Sequence, residues 1–251
     1  MNLPPGAGPP QAGRRPLGGQ RSRDSGKLGG LALFDLDLTL LPIDSDHAWG
    51  EFVIGRGWVD ADRFRAGNDA FYAQYKQGRL DIAAYIAFAT EPLRNRPADE
   101  LARAHARFMR EVIRPAIRPV ALRLVAVHRE RGDRLAIVTS TNDFITAPIA
   151  ARFGIDALIA VRLERDASGA ITGRIDGTPP YREGKVACVG QWLAESGLGW
   201  GDFERVSVYS DSLNDLPLLE RATDPAAANP SPDLEALARE RGWRIVRLFE
   251  Q

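Results

Sequence analysis

Two aspartates two residues apart, Asp35 and Asp37, interrupt the apolar run LFDLDLTLL between Leu33 and Leu41. Each raises the cost of ionising the other, so something must hold that charge. A second acidic pair, Asp211 and Asp215, lies in YSDSLND. Thr139 and Ser140 add hydroxyls in IVTSTND, and Lys185 opens an amphipathic stretch. Every candidate ligand in this set is oxygen, which selects a hard cation. Magnesium suits it, because that ion takes one or two protein carboxylates and fills its remaining positions with waters and substrate phosphate. The metal would offset the repulsion and recruit a phosphate.

These groups act together only if the chain brings them to one place. LALF, ending at Asp35, is a short continuous apolar run of the kind that forms a central strand buried on both faces. DRLAIVT (Asp133 to Thr139) and ERVSVYS (Glu204 to Ser210) have the same character. The first of these follows a helical stretch, Pro119 to Arg131, stopped by Gly132. The second follows an amphipathic helix from about Glu183 to Glu195. ALIAVRL and WRIVRLF are weaker strand candidates, and ITGRI suits a short hairpin arm. Strands separated by helices predict right-handed crossovers and a doubly wound, mostly parallel, Rossmann-like α/β sheet. Ligands of such sheets bind at the carboxyl ends of the strands, near the switch in strand order.

Between Asp44 and about Arg118 no strand pattern occurs. HAWGEFVIGRG, ADRFRAGNDAFYAQYKQG, DIAAYIAFA and ADELARAHARFMREVI all carry helical apolar spacing. They predict an inserted all-helical cap above the carboxyl edge, mobile about Pro42 and RPAIRP. The expected organisation is a disordered Pro-, Gly- and Arg-rich tail over 1–28, an α/β core over 29–43 and 119–251, and the cap over 44–118.

Thirty-three basic and 33 acidic residues cancel, which argues against a nucleic-acid partner. The single cysteine, Cys188, fits a reducing compartment. No run approaches the roughly 20 apolar residues of a membrane span, so the expectation is a soluble, cytoplasmic protein without a membrane partner. Nothing in the pattern indicates an oligomeric state.

DLDLT, a helical insertion, a strand ending in Thr139, Lys185 and DSLND follow one another between about Leu31 and Gln251. In this order they resemble the haloacid dehalogenase superfamily of phosphatases, in the branch that includes phosphoserine and histidinol-phosphate phosphatases. The resemblance implies that Asp35 is the nucleophile, taking the phosphoryl group as an aspartyl phosphate. Asp37 would protonate the leaving alkoxide and then activate water. The carboxylates of Asp35 and Asp211 and the backbone carbonyl of Asp37 would ligate magnesium. Thr139 would hydrogen-bond a phosphoryl oxygen, and Lys185 would balance charge on the phosphate and on Asp35. Asp215 would hold the lysine or a metal-bound water, with Thr39 and Asn214 as supporting residues of the two acidic motifs. The implied partner is a small-molecule phosphate ester.

Phosphoserine phosphatases usually carry Ser-Gly-Gly at the second motif, where this chain has TSTND. The space beside the substrate is then filled by Ser140 and Thr141, which sets histidinol phosphate ahead of phosphoserine. Asp44, with Asp46 and His47 nearby, falls where the cap would meet a substrate ammonium. Both esters carry one, so Asp44 does not separate them.

Competing chemistries lack their residues. A cysteine phosphatase needs Arg six positions after Cys188, where Ala194 stands. REGKV has neither the spacing nor the final Ser or Thr of a phosphate-binding P-loop. Three histidines are too few for a histidine-ligated metallophosphoesterase. A catalytically silent binding protein on the same scaffold remains the alternative of another class.

Overall fold

A computed structural model describes residues 27–249. Its strands are β1 (Leu28–Phe34), β2 (Arg134–Asn142), β3 (Ala157–Val161), β4 (Leu163–Arg165), β5 (Ile171–Ile175), β6 (Phe203–Ser210), β7 (Asp224–Ala228) and β8 (Arg244–Val246). Six of them form one sheet in the order β3-β2-β1-β6-β7-β8, every pair parallel. The strand order reverses at β1, which pairs with β2 on one side and β6 on the other. A crevice therefore opens beyond the carboxyl ends of β1 and β6. Both faces of the sheet are covered, which explains the continuous apolar runs in β1, β2 and β6.

Two strand expectations need correction. Nothing in Asp-Pro-Ala-Ala-Ala favours a strand, yet β7 forms because β6 and β8 pair with both of its edges. ALIAVRL is not one strand: β3 ends at Val161, and Leu163 begins β4, which pairs antiparallel with β5 as a hairpin outside the main sheet.

The expected tail over 1–28 lies outside the described residues except for its last two. Its boundary also shifts, since Leu28 pairs with Phe203 and belongs to β1. Gly29 and Gly30 hid this start by supplying no apolar side chains. Gly30 is glycine for a steric reason: a Cβ there would lie 2.1 Å from Asp133 Oδ1. That carboxylate is committed, accepting from Arg205 Nη2 at 2.8 Å and lying 2.6 Å from His128 Nδ1. His128 Nε2 in turn lies 2.8 Å from the Tyr209 hydroxyl. Gly30→Ala is expected to lower stability by about 1–3 kcal/mol, read as a lower urea midpoint at unchanged slope.

The segment between β1 and β2 is helical, as the apolar spacing predicts. It contains α1 (Ser45–Gly55), α2 (Ala61–Lys76), α3 (Ile82–Ala89), α4 (Ala98–Phe108) and α5 (Arg114–Ala116). Asp44, Asp60 and Asp81 cap the first three, each carboxylate accepting from backbone N–H groups of the first turn. α4 runs on through a wide turn, Met109–Ile113, into α5. Within RPAIRP, Pro115 stays helical, and the backbone becomes extended only at Ile117 and Arg118. Trp49 of α1 packs edge-on against Phe108 of α4 and against Phe144, with centroids 5.1 and 5.4 Å away. Phe144 belongs to the helix that follows β2, so this cluster ties the insertion to the sheet's own helices.

The remaining helices are α6 (Pro119–Glu130), α7 (Asp143–Phe153), α8 (Glu183–Glu195), α9 (Leu216–Leu219) and α10 (Pro232–Glu240). Among the described residues no helix is long and apolar enough to cross a membrane.

Candidate active site

Asp35 is the first residue after β1, and its N–H still donates to Tyr209 O of β6 at 2.9 Å. Beyond it the chain turns sharply, with the N–H groups of Leu40 and Leu41 both donating to Leu36 O. Leu38 sits in the turn at φ +59°, a left-handed conformation unfavourable for leucine. Asn229 Nδ2 holds it by donating to the carbonyls of Leu38 and Thr39 at 2.9 and 3.2 Å.

The turn aims Thr39 between the two acidic motifs. Its Oγ1 lies 3.2 Å from Asp35 Oδ2 and 3.1 Å from Asp211 Oδ1, and it also accepts from the Asp211 N–H at 3.1 Å. One hydroxyl proton cannot serve both carboxylates. Asp35 and Asp211, 176 positions apart in sequence, thus face one site with acceptors to spare. Lys185, buried on α8, donates to Asp35 Oδ1 at 2.8 Å and to Asp215 Oδ2 at 2.7 Å. Ser210 Oγ donates to the same Asp215 oxygen at 2.7 Å. Of the two roles expected for Asp215, the geometry matches holding the lysine.

One ammonium among three carboxylates leaves negative charge uncompensated. Burial, opposed by Lys185, pushes Asp35 up to about 6. Burial and then the Asp35 charge push Asp211 well above the carboxylate range. Burial disfavours the Lys185 ammonium, but the charges of Asp215 and Asp35 outweigh it and raise its pKa above the ordinary lysine value. The chemistry of this acceptor-rich edge suits a hard cation. Among the described residues no three His, Cys, Asp or Glu side chains close a metal cage. Two carboxylates around the Thr39 hydroxyl suit an ion that keeps several waters.

Asp37 is held differently. Its Oδ1 accepts from Ser45 N at 2.7 Å, and Thr141 Oγ1 donates to its Oδ2 at 2.7 Å. Burial and the nearby Asp44 charge push it up to about 8, so it carries a proton at neutral pH. Thr139 is buried near the end of β2 and lines the cavity. Its Oγ1 accepts from Thr141 N at 3.1 Å. Ser140 Oγ instead donates to Pro180 O at 3.0 Å, which fixes the loop before α8.

A cavity of about 1420 Å³ joins this edge to the helical insertion, with Asp44, Asp46, Tyr72 and Tyr85 on the far wall. Asp44 Oδ1 accepts from the N–H groups of Asp46 and His47 at 3.0 and 2.9 Å.

Residues 32–220 match the family profile of haloacid dehalogenase-like hydrolases. The chain belongs to the haloacid dehalogenase-like hydrolase family. It is 44% identical over 216 residues to a histidinol-phosphatase of Neisseria meningitidis serogroup C, covering 86% of this chain and 97% of that protein. It is 30% identical over 217 residues to a phosphoserine phosphatase of Mycobacterium tuberculosis, covering 85% and 69%. A solved protein of unknown function from Bordetella pertussis Tohama I superposes with a TM-score of 0.83 at 48% identity, over 88% of this chain and 99% of the other. A substrate-bound phosphoserine phosphatase superposes with a TM-score of 0.60 at 20% identity over 88% and 94%, a likeness of fold. As a phosphatase of this family, the chain is a phosphoric monoester hydrolase.

Within this haloacid dehalogenase-like hydrolase the second acidic motif also grips the insertion. Asn214 Nδ2 donates to Tyr75 O at 2.9 Å, and the Tyr75 hydroxyl donates to Ser212 Oγ at 3.3 Å. Arg182 adds a third tie, donating from Nη1 to Gly78 O at 2.7 Å while held at φ +52°. The sequence reading missed Thr141 as the partner of Asp37, Asn229 as the brace of the Leu38 turn, and Arg182. None stands in a periodic or paired pattern. A left-handed backbone marks Asn229 (φ +47°) and Arg182, and that is visible in the fold alone; nothing of the kind marks Thr141.

Proposed function

We propose that the chain is a magnesium-dependent phosphomonoesterase acting through an aspartyl phosphate on Asp35, with histidinol phosphate ahead of phosphoserine as substrate. The observation that carries the chemistry is the Thr39 hydroxyl shared by Asp35 and Asp211 beside Lys185. The substrate reading is supported by the named Neisseria relative, of which this chain covers nearly the whole length, and by TSTND at the second motif.

The Asp35 carboxylate, kept anionic by Lys185, attacks phosphorus as the bond to the ester oxygen breaks. Asp37 gives its proton to that oxygen, and the alcohol leaves. The Asp37 carboxylate then takes a proton from water as the water oxygen bonds to phosphorus and the bond from phosphorus to the Asp35 oxygen breaks, which frees inorganic phosphate and restores both side chains. Thr139 donates to a phosphoryl oxygen throughout. Magnesium, held by the Asp35 and Asp211 carboxylates and the Asp37 carbonyl, would neutralise charge on the phosphoryl group.

Because Asp37 must start protonated, phosphate release is expected to fall as pH rises through about 8. Thr141→Val, which deletes its hydroxyl partner, is expected to lower kcat about tenfold. Steady-state pH profiles of both proteins check this.

The decisive experiment is phosphate release from histidinol phosphate, phosphoserine and sugar phosphates with magnesium and with excess chelator. Histidinol phosphate should give the highest kcat/KM, lost on chelation and restored by magnesium. A higher value for phosphoserine would reverse the substrate order. Failure to release phosphate from any of these esters would overturn the amino-ester substrate reading.

A further inference from the structure

The cavity wall formed by the insertion carries a carboxylate that the catalytic edge does not use. Asp46, in the first turn of α1, is 7% exposed and lines the cavity. Its Oδ2 accepts from the Tyr85 hydroxyl at 2.7 Å. Among the described residues no lysine, arginine or histidine pairs with it. A buried carboxylate with one neutral donor is costly unless a cation joins it. Burial and the neighbouring Asp44 charge accordingly push Asp46 up to about 7.

Asn68, on α2, also lines the cavity, but its unpartnered Nδ2 is itself buried and faces Gly50 of α1. Phe71 and Tyr85, whose ring centroids lie 5.4 Å apart, add an aromatic surface to the same cavity. Asp44, the residue singled out by sequence, lines the same cavity but is fixed to the helix start, where its Oδ1 caps α1 through two backbone N–H groups.

We infer that Asp46, rather than Asp44, pairs with the nitrogen cation on the alcohol arm of the substrate, fixed by Tyr85. The ligand class is a phosphate ester whose other end is a protonated amine or a protonated imidazole, either of which donates an N–H to the Asp46 carboxylate. This rests on the amino-ester reading above and names the residue that enforces it.

The test compares kcat/KM for histidinol phosphate and p-nitrophenyl phosphate in the wild type, Asp46→Asn and Tyr85→Phe. The ratio of the two values should fall about 10- to 100-fold in Asp46→Asn, carried in KM. Tyr85→Phe should lower it by a smaller factor, and it decides the matter if Asp46→Asn does not fold. Inhibition by histidinol, the free amino alcohol, should weaken in parallel. Equal losses on both esters, or an unchanged ratio in the variants of a wild type that prefers histidinol phosphate, would overturn the assignment to Asp46 alone. A wild type without that preference would overturn the amino-ester reading and this inference with it.

Discussion

Asp35→Asn is expected to abolish phosphate release, by roughly 10⁴-fold or more, while the melting temperature stays within a few degrees of the wild type. The amide has the carboxylate's shape but cannot form an acyl phosphate or hold a divalent ion with full charge. Its carbonyl oxygen can still accept from Lys185, which remains paired with Asp215. Loss of the Asp35 charge also relieves Asp211, whose ionisation that charge opposes. The substitution therefore separates chemistry from folding. Single-turnover phosphate release beside a thermal melt reads both, and retained turnover in a folded variant would remove Asp35 from the nucleophile role.

Lys185→Met should fail on both counts. The ammonium is buried and is the cation that joins Asp35 to Asp215. Methionine fills similar volume but leaves those carboxylates facing one another in a water-poor site. Removing one partner of a buried ion pair costs on the order of 3–5 kcal/mol, and loss of the charge that steadies the nucleophile should lower kcat about 10³-fold. Urea denaturation should show the first effect and magnesium-saturated kinetics the second. Normal stability would mean that the two aspartates do not depend on the lysine. High magnesium should not restore full turnover, because a cation at the Asp211 side leaves Asp215 uncompensated.

Both expectations concern side chains that the sequence brought forward as a set. Three apolar runs, each ending in a residue able to do chemistry, alternate with amphipathic stretches. Strands joined by right-handed crossovers put their carboxyl ends on one edge, so Asp35, Thr139 and Asp211 could be placed together before any coordinate was known. The 3.6-residue spacing of the insertion was equally legible, because an amphipathic face is written along a single stretch of chain.

Partner identity was not legible. Thr141 reaches Asp37 across 104 positions, Ser140 turns to Pro180, and Asn214 reaches out of its own motif to Tyr75. β7 is a strand only because its neighbours make it one. Asp44 and Asp46 look alike as letters two positions apart. In the fold one caps a helix, and the other is buried with a tyrosine and no cation. Local pattern determines which face of an element is buried, and so it gave the class of fold and the acidic edge. What each polar side chain touches depends on contacts between distant segments and on the water those contacts exclude, and only the tertiary structure supplies these.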